Sequence, residues 1–246
     1  MLPPIAVIFP AAGKSSRFGG KEKKPFLNLD GRAVWLRSAE LFVTRPEVKQ
    51  SLVVISPDDL EMFKTRYGAN LGFLNIQIVL GGAERFESVA NALEKLNPEI
   101  ELVAIHDAVR PATPAPLIDA LFQAAAQHGA AIPGIPISDT IKQVDNALKV
   151  QQTIPRSGLW LVQTPQVFRK DWLLEAYAKR KELQEAITDD SQLIESLGHP
   201  VQMVLGSPQN IKITSREDLI LAEMFIKNRQ SEAPKPRGPF DDDWMR

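Results

Sequence analysis

The 246-residue chain carries 29 Lys and Arg against 30 Asp and Glu, a net charge of −1, with 44% hydrophobic and 24% charged residues. That balance provides no long-range attraction to nucleic acid or an anionic membrane, so phosphate recognition has to be built locally from a few cations and backbone amides. With no cysteine, disulfides, thiolate nucleophiles and cysteine-ligated metals are excluded, and His106, His128 and His199 are too far apart to read as a metal-binding group.

The N-terminal MLPPIAVIFPAAG lacks a basic region and is broken by proline, so it does not read as a signal peptide. No apolar run approaches the ~18 residues that span a bilayer. The expectation is a cytoplasmic protein with neither membrane nor nucleic acid as partner.

IAVIFP (Ile5 to Pro10) is the first short apolar run and reads as a buried strand, followed by a loop rich in Gly, Ser and Lys. Ala33 to Thr44 shows a helical stripe of Trp35, Leu36, Ala39, Leu41 and Phe42. SLVVISP (Ser51 to Pro57) is the next strand, and Pro57, Asp58 and Asp59 suit the first turn of a helix. Ile76 to Gly82 and Leu102 to Ala108 are two further buried strands, with a helix from Arg85 to Leu96 between them. After Pro114 a helix runs to Gly129, a glycine in the usual position just past a helix end.

Ala130 to Ile137 reads as a strand whose prolines place it at an edge or a bend. Between Ser138 and Phe168 the short alternating runs suggest hairpins, hence an arm over about 138–168. Helices over Asp171 to Glu185 and Asp189 to Leu197, strands VQMVLG and NIKIT, and a final helix Glu217 to Asn228 complete the pattern. The alternation of buried strands and helices predicts an α/β fold with a mostly parallel sheet. It is taken as a single domain over 1–229, followed by a disordered tail over 230–246.

The loop after the first strand, PAAGKSSRFGGKEKKPFL, contains Gly13-Lys14-Ser15. A phosphate-binding P-loop would need another glycine at position 8, which is Ile8 in mid-strand, and no GxGxxG fingerprint is present. What remains is a strand ending in Ala11, Ala12 and Gly13, small enough for a ligand to approach the backbone. Lys14, Arg17, Lys21, Lys23 and Lys24 follow. Cations and free amides at a strand's C-terminal end suit a triphosphate; a solvated basic loop is the bland alternative.

This loop resembles the signature of nucleotidyltransferases with a glycosyltransferase-A-like fold. PAAGKSSRF, GGAERFESV, IHDAVRP, ISDTIKQ, IPRSGLWLVQTPQVF, ITDDS and NIKITSREDLILAE, in that order, resemble the 2-C-methyl-D-erythritol 4-phosphate cytidylyltransferase family. The resemblance implies a three-layer, Rossmann-like fold with a protruding β-arm. It also implies transfer of CMP from CTP to a small polyol phosphate, with pyrophosphate released and Mg²⁺ bound mainly through the CTP phosphates. Such a transfer needs in-line positioning and placed cations more than covalent help from protein.

Carried over by motif, Arg17 and Lys24 would stabilise the transition state, while Arg156 and Lys212 would position the attacking phosphate. Ala11, Ala12, Gly13, Gly81, Gly82, Ser88, Asp107 and Ala108 would bind CTP. Arg110, Thr140, Thr164 and Thr188 would bind the acceptor, and Asp107 is a candidate metal ligand. The resemblance further implies a homodimer in which the arm brings Thr140 and Arg156 to the neighbouring subunit's site.

Structural alternatives stand beside several of these roles: a strand–helix turn for Ser88, an Asp107–Arg110 pair, and capping or turn bonds for Thr164 and Thr188. His106 reads as packing. The chain departs from the family pattern at Ser15, usually glycine, and at Ala83, commonly acidic. It also departs at Lys23-Lys24-Pro25-Phe26, which leaves Lys23 and Lys24 as rival candidates for one role. A ribitol 5-phosphate acceptor and a non-catalytic nucleotide-binding protein are the alternative functions.

Overall fold

Five consecutive residues, Ile5 to Phe9, have no exposed surface, as a strand covered on both faces requires. They belong to β1 (Ile5–Pro10), the centre of a computed structural model that describes residues 2–13, 23–180 and 187–232. Alternate side chains of β1 enter different cores. Ile5, Val7 and Phe9 face Trp35, Phe42, Phe63 and Phe122, whereas Ala6 and Ile8 face Val89, Leu93, Leu173 and Ile194. This period of two divides the molecule into helix, sheet and helix layers.

After β1 come a 3₁₀ turn at Lys24–Phe26, the small hairpin β2 (Asn28–Leu29) and β3 (Arg32–Ala33), and α1 (Val34–Val43). The next elements are β4 (Val48–Ile55), α2 (Leu60–Phe73), β5 (Ile76–Leu80), α3 (Arg85–Leu93) and β6 (Leu102–Ile105). Then α4 (Ala115–His128) leads to β7 (Ala130–Pro136), β8 (Ile141–Val144), β9 (Val150–Ile154), β10 (Trp160–Val162) and β11 (Gln166–Arg169). The chain closes with α5 (Lys170–Lys179), α6 (Ser191–Ser196), β12 (Gln202–Leu205) and α7 (Arg216–Glu232).

Strand order in the eight-stranded sheet is β10-β7-β11-β6-β1-β4-β5, with β12 added alongside β7. β1 pairs in parallel with both β4 and β6, β4 with β5, and β12 with β7; β11 and β10 run antiparallel to their neighbours. The α/β, mostly parallel expectation therefore holds. On the far side, Ala222 and Ile226 of α7 pack on Leu29, Val34, Ala112 and Ile213 as a separate small core.

Several details differ from the sequence expectation. β7 is an interior strand rather than an edge. Its Ala130 and Ala131 pair with β11, Gly134 to Pro136 pair with β10, and Ala131 to Gly134 pair with β12 on the other side. Pro133 falls where β11 gives way to β10, and its carbonyl accepts the Gln163 N–H at 2.7 Å. The proline thus sits where the ladder is already interrupted, which is how an interior strand tolerates it.

The segment expected to be an arm over 138–168 divides in two. β8 and β9 form their own antiparallel hairpin, whereas β10 and β11 belong to the main sheet. NIKIT is not a strand; the Ile213 N–H donates to the Val109 carbonyl at 2.9 Å and the Asn210 N–H to the Ser207 carbonyl at 3.0 Å. The final helix continues through residues 230–232, the start of the expected tail. Residues 233–246 lie outside the described residues.

Candidate active site

The chain builds β1, β4 and β5 outward on one side and then returns to place β6 on β1's other side. In open α/β sheets a crevice forms at the carboxyl ends of the strands where the order reverses, and ligands bind there. Here that point lies between the end of β1, which leads into Ala11, Ala12 and Gly13, and the end of β6, which leads into His106, Asp107 and Ala108. Ala11 and Ala108 are buried and Gly13 is exposed.

β5 delivers Gly81 and Gly82 to the same end of the sheet. A Cβ on Gly81 would lie 2.7 Å from the Ala12 Cβ and 2.8 Å from the Ser88 Oγ. Only glycine allows the two strand ends to approach this closely. Ser88 is buried; its hydroxyl accepts the Gly82 N–H at 3.2 Å and donates to the Glu84 carbonyl at 3.1 Å. Glu87 closes the helix start by accepting the Glu84 N–H at 3.1 Å. Ser88, expected to bind CTP, therefore has its hydroxyl engaged in shaping the double-glycine turn.

On the other flank, Pro25 and Phe26 are buried, with the Phe26 ring 5.7 Å from Phe63. This anchors Lys24 at the start of its turn. The neighbouring Lys23 Nζ donates to Asp59 Oδ2 at 2.6 Å. Arg17, together with Lys14, Ser15 and Lys21, lies outside the described residues.

The β6 end carries a tightly joined cluster. Asp107 Oδ2 accepts from Arg110 Nε at 3.2 Å and Lys212 Nζ at 3.0 Å. Burial raises the Asp107 pKa, but Lys212, Arg110 and Arg85 outweigh it and hold the carboxyl well below the ordinary carboxylate range. Arg110 also donates through Nη1 to the Asn210 carbonyl at 2.7 Å and is itself buried. The Asp107–Arg110 pair is therefore part of the framework, and the half-exposed Lys212 is the cation it presents outward.

Thr164 Oγ1 accepts the Asp107 N–H at 3.0 Å and lies 3.4 Å from His106 Nδ1. His106 Nε2 is 3.2 Å from the Arg110 carbonyl, which can only accept, so the proton belongs on Nε2. Burial pushes the His106 pKa down to about 4, with Asp107 pulling the other way. The ring sits edge-on to Phe9 at 6.3 Å and against Phe42 at 4.9 Å. His106 is a packing residue, as expected, and a neutral one.

Asn210, not singled out from sequence, is fully buried at the cluster's centre. Its side chain accepts from Thr113 Oγ1 at 2.7 Å and donates to the Thr164 carbonyl at 2.8 Å. Its place at the start of the NIKITSRED block was the available signal. Thr188 is exposed and is not the residue that caps α6; the Asp189 carboxylate accepts the Gln192 N–H at 3.1 Å. Thr140 and Arg156 are exposed and lie just beyond the paired Ile141 and Ile154, both at the open end of the β8–β9 hairpin. Within one chain they are not joined to this cluster by any bond shown among the described residues.

Close-approach turns, a basic flank and an acidic–basic cluster at a switch point define an α/β nucleotidyltransferase. A profile of the family described as 2-C-methyl-D-erythritol 4-phosphate cytidylyltransferase matches residues 5–228. The protein of that name from Pelotomaculum thermopropionicum is 39% identical over 235 residues, covering 95% of this chain and 99% of that one. The Solibacter usitatus protein of the same name is 38% identical over 239 residues, covering 93% and 98%. A crystal structure of 4-diphosphocytidyl-2C-methyl-D-erythritol synthase from Anaerococcus prevotii superimposes with a TM-score of 0.77 at 31% identity, covering 92% of this chain and 96% of that one. The chain belongs to the 2-C-methyl-D-erythritol 4-phosphate cytidylyltransferase family.

Proposed function

We propose that this protein transfers CMP from CTP to 2-C-methyl-D-erythritol 4-phosphate, giving 4-diphosphocytidyl-2-C-methyl-D-erythritol and pyrophosphate. The observation that carries the proposal is the extent of the family match, residues 5–228. It runs through the acceptor side of the site as well as the nucleotide loop.

In this reading an acceptor phosphate oxygen attacks the α-phosphorus of CTP in line, and the bond to the pyrophosphate oxygen breaks as the new P–O bond forms. Pyrophosphate leaves with the electron pair, so no protein nucleophile is required. Gly81 and Gly82 admit the base, and the Ala11-Ala12-Gly13 segment offers its backbone to the phosphates. Arg17 and Lys24 balance charge that grows in the transition state, each contact worth ~2.7–4 kcal/mol by analogy with an oxyanion donor. Lys212 and Arg156 hold the attacking phosphate, Thr140 and Thr188 face the acceptor, and Arg110 and Thr164 bound its site from within the buried cluster.

Magnesium is proposed as the cofactor. Asp107 could give it one carboxylate, and among the described residues no group of three His, Cys, Asp or Glu could hold a metal ion. Most ligands would then come from the CTP phosphates. Its chemistry would be to neutralise phosphate charge.

The proposed assembly is a homodimer through the β8–β9 arm and β10. Val144, Leu148 and Val150 on the arm, and Leu159, Leu161 and Val162 at β10, expose apolar surface that suits burial by a second subunit. This would carry Thr140 and Arg156 to the partner's site. A cytoplasmic location belongs to the same proposal; no described helix is long and apolar enough to cross a membrane.

Pyrophosphate release with CTP, Mg²⁺ and either acceptor tests this reading. Turnover with methylerythritol phosphate is expected. Turnover with ribitol phosphate alone would replace the acceptor, and none with either would sink the proposal. Lys24→Ala should lower turnover roughly 10²–10³-fold, and Lys23→Ala much less; the reverse would exchange their roles.

A further inference from the structure

Asp190 immediately precedes α6, two residues after Thr188, and its side chain is only 2% exposed. Its Oδ2 accepts from Arg85 Nη2 at 2.7 Å, and its Oδ1 accepts the Tyr177 hydroxyl at 2.6 Å. Arg85 is the first residue of α3, directly behind the Gly81–Gly82 turn, and Tyr177 comes from α5. One buried carboxyl therefore joins the base turn, α5 and the loop carrying Thr188, with 105 residues separating it from Arg85.

The electrostatics support a fixed strut. Burial opposes the charge on Arg85, but Asp190 outweighs it and the guanidinium pKa is raised. Burial and the Asp190 carboxylate both raise the Tyr177 pKa, which keeps its hydroxyl a donor. A second tie comes from β11. Gln166, two residues after Thr164, donates to Asp189 Oδ2 at 2.8 Å and accepts the Ser191 N–H at 3.1 Å. Thr188 lies in no strand or helix; its N–H donates to Gln192 Oε1 of α6 at 3.0 Å, and the Asp190 and Gln166 bonds fix that segment to the rest of the site. A contact that has to be held within about 0.5 Å needs such supporting bonds.

We infer that Asp190 is a positioning residue for acceptor binding: through Arg85 it braces the 187–191 loop against the base turn and so places Thr188. This rests on the proposed acceptor role of that loop. The resemblance assigned no role to Asp190 or Tyr177.

The test is steady-state kinetics on the full-length protein, varying CTP and methylerythritol phosphate separately. Asp190→Asn should raise the acceptor KM about tenfold, the loss expected for a bond to a charged group, while the CTP KM stays within about threefold. Arg85→Gln, whose shorter side chain cannot reach Asp190, should give the same separation of the two KM values. A merely structural residue would lower the melting temperature without separating the two KM values. Tyr177→Phe leaves the ion pair intact and should give the same separation at about two- to threefold; it decides the matter if Asp190→Asn does not fold. Equal change in both KM values, or none, in a folded variant overturns the inference. Failure of the wild type to turn over methylerythritol phosphate overturns the functional reading instead, and this inference with it.

Discussion

At the end of β6, Asp107, Arg110, Thr164 and Asn210 are each less than a tenth exposed and are bonded to one another or to nearby backbone. In the β8–β9 arm the polar bonds are exposed, as between Lys142 Nζ and Thr153 Oγ1 at 2.6 Å. Its apolar side chains face outward as well, with Leu148 82% exposed. The first region is completed within one chain, so its polar groups cost free energy if a partner is removed. The second is completed, on the proposed reading, by another subunit, so its changes should be silent in the isolated fold and evident in the assembly.

The largest expected effect tests the closed cluster. Asp107→Ala leaves the buried Arg110 guanidinium without its carboxylate and should cost about 3–5 kcal/mol of stability. Lys142→Ala in the arm should cost less than about 0.5 kcal/mol. Urea unfolding of both variants measures the contrast. A loss below about 1 kcal/mol for Asp107→Ala would mean that the cluster is not the closed unit described.

Next in size is a pH effect from the same cluster. His106 has its pKa lowered from 6.5 to about 4 in the folded state. The unfolded chain therefore binds more protons between these values, and stability falls as pH drops from 6.5 toward 4. The shift corresponds to about 3 kcal/mol, fully present above 6.5 and lost below 4. His106→Gln should flatten the stability profile over that window, as measured by unfolding at successive pH values. An unchanged slope would assign it to other groups.

Gly81→Ala sharpens the comparison on the catalytic side. The added methyl meets Ala12 and Ser88 under 3.0 Å, so the base turn or the β1 end must move. A displacement of about 1 Å there should lower kcat/KM roughly 100-fold. The same substitution at Gly158, which has open space around it but a positive φ of 77°, should cost about 1 kcal/mol of backbone strain and leave CTP binding unaltered. Equal effects on CTP binding at the two glycines would discard the close-approach argument.

What could be read from sequence follows the range of the forces involved. The continuous apolar run along Ile5 to Phe9 and the stripe of α1 are local patterns, and they led directly to strand and helix. The interior position of β7 depends on pairing with β11 and β12, far along the chain, and its prolines pointed to an edge or a bend. In the site, Gly81 and Asp107 stand out because small and acidic residues follow apolar runs. Asn210 and Asp190 do not, because a polar residue in a polar segment resembles surface until tertiary packing buries it. The β-arm was legible as alternation, but its boundary was not, since β10 carries the same pattern into the main sheet.

The smallest effect on the single chain is expected at Leu161, and it tests the other half of the comparison. Leu161 is 59% exposed on β10, whose backbone partner among the described strands is β7. Leu161→Asp removes little buried surface, so it should change unfolding stability of the monomer by less than about 0.5 kcal/mol. In a dimer the same carboxylate would be desolvated opposite an apolar surface, a cost that shifts the equilibrium toward monomers. Sedimentation should show dissociation at concentrations where the wild type is dimeric, and activity should fall in parallel, because Thr140 and Arg156 would no longer reach a partner's site. If the variant dissociates but keeps full activity, those two residues do not act across the interface. If it remains dimeric, β10 is not part of that interface, and the arm must be joined to its partner through the face carrying Val144, Leu148 and Val150.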